Sequence, residues 1–177
     1  MKPIFLAAGL VLASCAAPGS GTTTSAALIA ADASTSLAVG ERLTADTTTR
    51  APGVEGADSL VTLTLRHADG RSMSFQEANH APNHVMAQSP GGPLAQIMGL
   101  FGGEAPVLYL TTESSGAPFM CAPQGPAAIG VHAGADGTTQ LVGLKQEIEF
   151  ETRPDGQSEA IPYSPDQVCA RLSFRRG

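Results

Sequence analysis

Two histidines and a methionine lie close together near the middle of the chain, at His80, His84 and Met86. Imidazole nitrogen and thioether sulfur together suit copper, particularly Cu(I). Pro82 stands between the two histidines, and a proline there disfavours a single helix face that carries both. The sequence therefore leaves two interpretations, a copper site formed by His80, His84 and Met86, or a polar surface loop whose histidines are exposed.

The three residues belong to a long connection that runs from Glu77 to Glu104. Connections of this length in compact domains are often functional or disordered. We therefore expect a binding loop here, and its candidate residues are Asn79, Asn83 and Phe101.

One short helix is predicted inside this connection, over residues 93–101. Pro93 suits the first turn of a helix, and Gly102 and Gly103 end it. Its apolar face consists of residues that recur at helical spacing, namely Leu94, Ile97, Met98 and Phe101. This face either packs on the core of the domain or contacts a partner or a membrane.

Residue types that perform covalent or acid–base catalysis are present but form no motif. The pattern Gly-x-Ser-x-Gly is absent, and the Ser-Ser-Gly at 114–116 is also ordinary turn composition. Glu147, Glu149 and Glu151 alternate along one predicted strand, which is typical of a solvated face because adjacent like charges repel. The sequence therefore predicts no catalytic residue and favours a non-enzymatic role, with a small envelope hydrolase as the enzymatic alternative.

The N-terminus has the pattern of a secretory signal. Lys2 is followed by about ten apolar residues and then by the small residues Ala13 and Ser14. The apolar run is too short to cross a bilayer, which takes about 20 residues. We therefore expect residues 1–14 to be a signal peptide, separate from the folded domain.

The residues at the end of this segment, Leu12-Ala13-Ser14-Cys15, resemble the bacterial lipobox. The resemblance implies a bacterial lipoprotein in which Cys15 carries a diacylglyceryl group on its sulfur and becomes the first residue after cleavage. Two or more acyl chains hold a protein stably to a membrane, whereas one chain holds it only marginally. Because Ala16 rather than aspartate follows the cysteine, the resemblance further implies the outer membrane, with the domain facing the periplasm.

The residues that follow the lipobox divide into a linker and a domain. Residues 15–27 are small, uncharged and rich in glycine, serine and threonine. Such a segment buries too little apolar surface to order itself, so we predict a flexible tether after the lipidated cysteine. Residues 28–177 are then a single β-rich domain, a length that suits one core.

Two cysteines remain once Cys15 is assigned to lipidation, namely Cys121 and Cys169. An even number of cysteines in an oxidising compartment predicts a disulfide. The loop between positions 121 and 169 corresponds to a stabilisation of about 4 kcal/mol in the chain-entropy model. Neither a Cys-x-x-Cys motif nor an adjacent histidine supports the alternative of a metal or redox pair.

The chain is mildly acidic, with a formal net charge of −6, and cleavage after residue 14 would remove one lysine. Nucleic-acid binding requires clustered lysine and arginine, so we expect no nucleic-acid partner. Arg171, Arg175 and Arg176 form a basic cluster, which is either a solvated face or a contact for anionic lipid. The expected partners are the membrane, through the lipid anchor, and an envelope protein or cell-wall component.

Alternation of apolar and polar residues predicts much of the domain as short strands. Asp-Gly turns accompany several of them, at 69–70, 136–137 and 155–156. The predicted strands are 59–66, 71–76, 106–110, 119–121, 129–132, 140–144, 147–151 and 168–174, while 34–39 is either strand or irregular. About eight strands with frequent turns predict a mainly β domain, a small antiparallel sandwich, roll or barrel with one short helix.

Overall fold

A computed structural model describes residues 21–51, 59–79, 81–100 and 103–177. The strands in these ranges are β1 Thr22–Ala30, β2 Arg42–Arg50, β3 Leu60–His67, β4 Ser72–Glu77, β5 Val107–Ser115, β6 Ala128–Ala133, β7 Thr138–Leu144, β8 Phe150–Thr152, β9 Ser158–Ala160 and β10 Val168–Arg176. The helices are α1 Ala33–Val39, α2 Pro82–Ala87 and α3 Pro93–Met98, together with a 3₁₀ turn at Pro165–Gln167.

Most of the strands form a closed antiparallel barrel in the order β1-β10-β7-β6-β5-β4-β3-β2. Strands β1 to β7 are neighbours in chain order, and β10 closes the barrel between β7 and β1. The two remaining strands, β8 and β9, pair as a separate hairpin. The predicted mainly β class is confirmed, and closure selects the barrel among the three predicted architectures.

Two of the predicted Asp-Gly turns form tight hairpins of the barrel. Gly70 and Gly137 have φ angles of 94° and 82°, a region that favours glycine. In the β3–β4 turn the Asp69 carboxylate accepts a hydrogen bond from the Arg71 backbone N–H at 3.1 Å. In the β6–β7 turn Asp136 accepts in the same way from Thr138 at 2.9 Å. Because each turn sets the strand register, it also sets which side chains face the lumen.

The two ends of the barrel are built differently. One end, which we call the closed end, holds α1, the β3–β4 turn and the segment 116–127 between β5 and β6. The other end, which we call the rim, holds the start of β1, the β6–β7 turn and the end of β10. The antiparallel order places these elements together, since every barrel strand runs from one end to the other.

Large side chains fill the lumen toward the closed end. The buried residues there are Val39, Leu43, Met73, Phe119, Met120 and Leu172. Toward the rim, the cavity-facing residues of β1 and β2 are small, namely Thr24, Ala26, Ala45 and Thr47. The interior of an eight-stranded barrel is just wide enough to be filled by side chains or to hold one small ligand. Small residues at these positions therefore leave the lumen unfilled near the rim.

A second apolar layer covers the outer face of β5, β6 and β7. Helices α2 and α3 pack there, against Leu108, Ala128, Val142 and Leu144. Gly130 allows α3 to come close, because a Cβ at this position would lie 2.7 Å from Leu94 Cδ1. Leu94, Ile97 and Met98 of the predicted helix thus pack on the core, which was one of the two interpretations of that face.

Residues 34–39 are helical, so their prediction as strand or irregular was wrong. Asp32 caps α1, because its carboxylate accepts a hydrogen bond from the Thr35 backbone N–H at 2.7 Å. Gly40, with a φ of 81°, ends the helix. Thr35 Oγ1 in turn accepts from the Ser173 backbone N–H at 2.9 Å, which ties α1 to β10. The caps and this distant bond outweigh the low helix propensity of the threonine and serine residues.

Residues 22–27, predicted as part of the tether, belong to β1. They pair antiparallel with β2, from Thr22 opposite Thr49 to Ala27 opposite Thr44. The hydroxyls of Thr23 and Thr48 lie 2.9 Å apart. Threonine is β-branched and favours strands even where it contributes little apolar surface. The domain therefore begins earlier than the predicted boundary at residue 28.

Two further local predictions differ from the structure. Residues 119–121 form bends rather than a strand, and Cys121 has a φ of 57°, which an extended strand does not adopt. The predicted strand at 147–151 reduces to β8, which begins at Phe150. Pro82 occupies the first position of α2, where its missing N–H costs nothing.

Candidate functional site

A cavity of about 450 Å³ occupies the lumen next to the rim. Its walls come from every barrel strand except β4. Pockets that bind small molecules have volumes of about 300–1,000 Å³ and occur in the mouths of β-barrels. The cavity is therefore the candidate functional site.

The bottom of the cavity is apolar. Leu28, Leu65 and Leu141 line it from three different strands, and all three are buried. Val107 and Val131 extend the apolar wall toward the rim on β5 and β6. These side chains have no hydrogen-bonding groups, so this part of the cavity suits hydrocarbon.

Threonines add polar groups to the upper part of the cavity. Thr24, Thr47 and Thr139 line it, and Thr24 is exposed to solvent at the rim. On β1, the four residues from Leu28 to Thr24 span about 13 Å along the strand, at a rise of about 3.3 Å per residue. Along β1 the lining thus changes from apolar to polar toward the rim, whereas on β5 and β6 it stays apolar up to the valines.

Tyr109 places a phenol group in the wall on β5. Burial raises the pKa of its hydroxyl to about 12, and the negative charge of Glu77, its register partner on β4, adds to the increase. The hydroxyl is therefore protonated at neutral pH. It can donate a hydrogen bond to a molecule in the cavity.

Arg176, at the end of β10, lines the cavity. Its register partner on β1 is the cavity-lining Leu28, whereas the neighbouring Arg175 pairs with the exposed Ile29. Because side chains alternate along a strand, the two arginines face opposite sides of the barrel wall. Among the residues that the structure describes, no carboxylate lies within ion-pairing distance of Arg176.

The predicted binding loop packs on the outer wall of the barrel and does not line this cavity. Asn79 and Asn83 are half-buried, and the Asn79 side-chain oxygen has no hydrogen-bond partner within the described ranges. Gln88 fixes the segment instead, because its side-chain oxygen accepts a hydrogen bond from the Leu108 backbone N–H at 2.9 Å. Phe101 lies outside the described residues.

Helix α2 holds His84 and Met86 two positions apart, and residues with this spacing do not face each other on a helix. His84 Nε2 lies 4.0 Å from Glu147 Oε2. His80 lies outside the described residues. Within the described residues no group of three or more His, Cys, Asp or Glu side chains could hold a metal ion. Copper binding through His80, His84 and Met86 stays a prediction.

Cys121 and Cys169 form the predicted disulfide, with Cα atoms 5.1 Å apart. The bond joins the segment 116–127 to the start of β10 at the closed end. Gly143 leaves room for it, since a Cβ there would lie only 2.7 Å from Cys121 Sγ. The disulfide therefore belongs to the closed end rather than to the cavity mouth.

Cys15 lies outside the described residues, which begin at Gly21. Within the described ranges, no helix has the length and the apolar composition that crossing a membrane requires.

Sequence reasoning did not predict the cavity, although it noted Arg176 as part of a basic cluster. One signal was available. The inward residue of β2 opposite Leu65 is Ala45, and the residue of β1 opposite Ala45 is Ala26, so both inward positions are small. Small inward residues across from leucines indicate unfilled space only if the strands are known to enclose one lumen.

Comparison with known proteins finds no match, since no family model, no curated protein and no solved structure matches this chain. The geometry of the cavity is therefore the feature that indicates a function for this protein.

Proposed function

We propose that this protein is a membrane-anchored envelope lipoprotein that binds a small, mostly apolar molecule inside its barrel. The cavity of about 450 Å³ next to the rim carries the proposal. Leucines line its bottom, threonines and valines line its mouth, and both parts are built from regular strands. Sites on strands hold their geometry better than sites on loops.

The chemistry of the lining favours binding over turnover. The side chains that face the cavity are aliphatic residues, serine, threonines, Tyr109 and Arg176. A tyrosine with a pKa of about 12 does not exchange protons readily at neutral pH. The lining thus supplies hydrogen bonds, one positive charge and apolar contact, which orient a ligand without a general base to activate it.

The size of the cavity sets the size of the ligand. A water molecule takes about 30 Å³ of the liquid and a methylene group roughly the same, so the cavity accommodates on the order of ten carbons. Each methylene moved out of water contributes about 0.8 kcal/mol, before the costs of association and ordering. Ten methylenes thus contribute about 8 kcal/mol before those costs, which makes the apolar part the main source of affinity.

The anchor in this proposal is Cys15, on the strength of the lipobox resemblance. Residues 16–20 connect it to Gly21, and β1 begins at the next residue. The barrel would then work at the membrane surface rather than free in the periplasm.

A fluorescent apolar probe tests the proposal. N-phenyl-1-naphthylamine would be titrated into the chain from residue 15 onward with Cys15→Ser, which contains every described element. We expect saturable binding of one probe per chain. Ala45→Leu and Ala45→Phe should weaken binding progressively, at least tenfold for phenylalanine, because both enlarge a side chain that lines the cavity.

Thr44→Phe is the matched control, because Thr44 is the exposed neighbour of Ala45 on the same strand. It adds an aromatic ring to the outer face and should leave probe binding unchanged. Circular dichroism would verify that each variant keeps its β structure. Saturable binding that is equal in Ala45→Leu, Ala45→Phe and the parent chain would refute the proposal, as would no saturable binding at all.

A further inference from the structure

We infer that the molecule held in the barrel is an amphiphile with one acyl chain and an anionic head group, taken up at a rim that faces the membrane. The inference depends on the proposed function, since it specifies the ligand of the same cavity. Three observations support it: the position of Arg176, the leucines that line the cavity beside it, and the short distance along the chain from Cys15 to the rim.

Arg176 supplies the charge that recognises the head group. It is the one charged side chain among the described residues that line the cavity, in a protein with a net charge of −6. A guanidinium binds carboxylate and phosphate oxygens through paired hydrogen bonds. β10 ends at this residue, opposite Leu28 on β1, and the side chain is exposed, so Arg176 lies where the barrel wall stops beside the apolar lining. A head group bound there would lie at this open edge, with its chain among the leucines.

Two other charged side chains end strands at the rim. Arg50 ends β2 and lies beside Gly21, since a Cβ on that glycine would be 2.9 Å from Arg50 Cγ. Glu77 ends β4 opposite Tyr109 and carries the opposite charge. A cationic head group would therefore be the competing choice, and the experiment below includes one.

The hydrocarbon chain of such a ligand would occupy the apolar lower part. Leu28, Leu65 and Leu141 surround that space, and the threonines of the lining lie nearer the rim. A ligand with two long chains exceeds the volume of about 450 Å³, given roughly 30 Å³ for each methylene. The geometry thus selects a fatty acid or a lysophospholipid, which share one chain and an anionic head.

The anchor would orient the mouth. Six residues lead from Cys15 to Gly21, and a chain of six residues spans at most about 21 Å when fully extended. Because β1 starts at the rim, a lipid on Cys15 holds the rim within this distance of the bilayer surface. The closed end, with its disulfide, would point away from the membrane.

Competition with the fluorescent probe tests the head-group preference. The competitors are dodecanoate, lauroyl lysophosphatidylglycerol, dodecanol and dodecylamine. We expect both anionic amphiphiles to compete at least tenfold better than dodecanol and dodecylamine. Arg176→Gln should remove this preference, while Arg175→Gln, an equal charge change on the outer face, should preserve it. The tighter of the two anionic competitors identifies the source, a free fatty acid or a lysolipid.

The outcomes separate the inference from the proposed function. Equal competition by all four amphiphiles, tighter binding of dodecylamine, or an unchanged preference in Arg176→Gln would overturn the anionic ligand while the apolar cavity stands. Failure of the probe and of every amphiphile to bind would overturn both.

Orientation is tested with two tryptophan variants of the full-length lipidated protein, which contains no tryptophan of its own. Ala135→Trp places the reporter in the β6–β7 turn at the rim, and Ala68→Trp places it in the β3–β4 turn at the closed end. Both alanines are exposed and precede an Asp-Gly pair. In vesicles of phosphatidylglycerol and phosphatidylethanolamine with dansyl-labelled head groups, energy transfer should be strong from position 135 and weak from position 68. Equal transfer, or the reverse order, would contradict the orientation.

Discussion

Replacing Gly143 by alanine should destabilise the barrel through a contact with the disulfide. The added Cβ would lie 2.7 Å from Cys121 Sγ and 3.3 Å from Ala170 Cβ, so neighbouring atoms must move. Overpacking of this kind costs typically about 1–3 kcal/mol. Alanine in a strand interior is otherwise favoured over glycine by roughly 0.5–1 kcal/mol. We therefore expect a net loss of about 1–2 kcal/mol in the free energy of unfolding.

The cause of this loss can be isolated in a chain that carries Cys121→Ala and Cys169→Ala. There both sulfur atoms are gone, and the 3.3 Å contact with Ala170 Cβ remains. In that background Gly143→Ala should be neutral or stabilising by up to about 1 kcal/mol. The two backgrounds should then differ by about 2 kcal/mol, a coupling energy expected for residues in direct contact.

Urea unfolding followed by circular dichroism measures all four chains. The chain without the disulfide should lose about 4 kcal/mol, so the series is best measured at low temperature, where that chain is still folded. Unchanged slopes against urea would show that only stability differs. An equal loss of unfolding free energy for Gly143→Ala with and without the disulfide would contradict the contact with Cys121. So would no loss at all when the disulfide is present.

Three other outcomes follow from local contacts. The Arg71 backbone N–H lowers the pKa of Asp69 from 3.8 to about 2. The stability from this carboxylate is thus complete above about pH 4 and lost as the pH falls toward 2. Asp69→Asn should remove that part of an acid unfolding profile, and an unchanged profile would contradict the role of the bond. Gly130→Ala should lower the thermal unfolding midpoint, at a cost of about 1–3 kcal/mol, because its Cβ meets Leu94 at 2.7 Å; a higher midpoint would argue against such close packing of α3. Absorbance titration should show Tyr109 ionising near pH 12, lost in Tyr109→Phe, and ionisation near pH 10 would mean that the cavity wall is more open to water.

Local sequence patterns predicted the hairpins well. Strands β3 and β4, and likewise β6 and β7, follow from alternation on both sides of an Asp-Gly pair, and each turn is fixed by a bond within two residues of its aspartate. Everything that determines these elements lies within about ten residues. Predictions that needed distant partners were less successful.

The first strand and the first helix illustrate the difference. β1 contains four polar residues, Thr22 to Ser25, and it is a strand because β2 pairs with it along its whole length. α1 depends on Asp32 and Gly40 as caps, which the sequence did show, and on the bond from Ser173, which lies far away in the chain. Local propensity was weak in both cases, so tertiary contacts decided the structure.

The cavity could not be predicted for a related reason. Seven strands contribute to it, and Thr24 and Arg176 come from opposite ends of the described chain. Alternation assigns each residue to a face, but it does not give the order of strands or the closure that turns one face into a lumen. The histidines and the methionine of the 77–104 connection predicted a site because they are close together in sequence. The cavity is assembled from residues that are far apart in sequence.

A backbone hydrogen bond holds Gly177 against β1. Gly177 donates its N–H to the carbonyl of Ala27 at 3.0 Å, so β10 ends beside the middle of β1. A peptide linker from 177 to 21 could therefore join them, and new termini could be cut in the β3–β4 turn without breaking a barrel strand. If a lipid were attached at the new N-terminus of such a circular permutant, the closed end rather than the rim would lie next to the lipid. The mouth of the cavity would face away from the membrane that anchors the permutant.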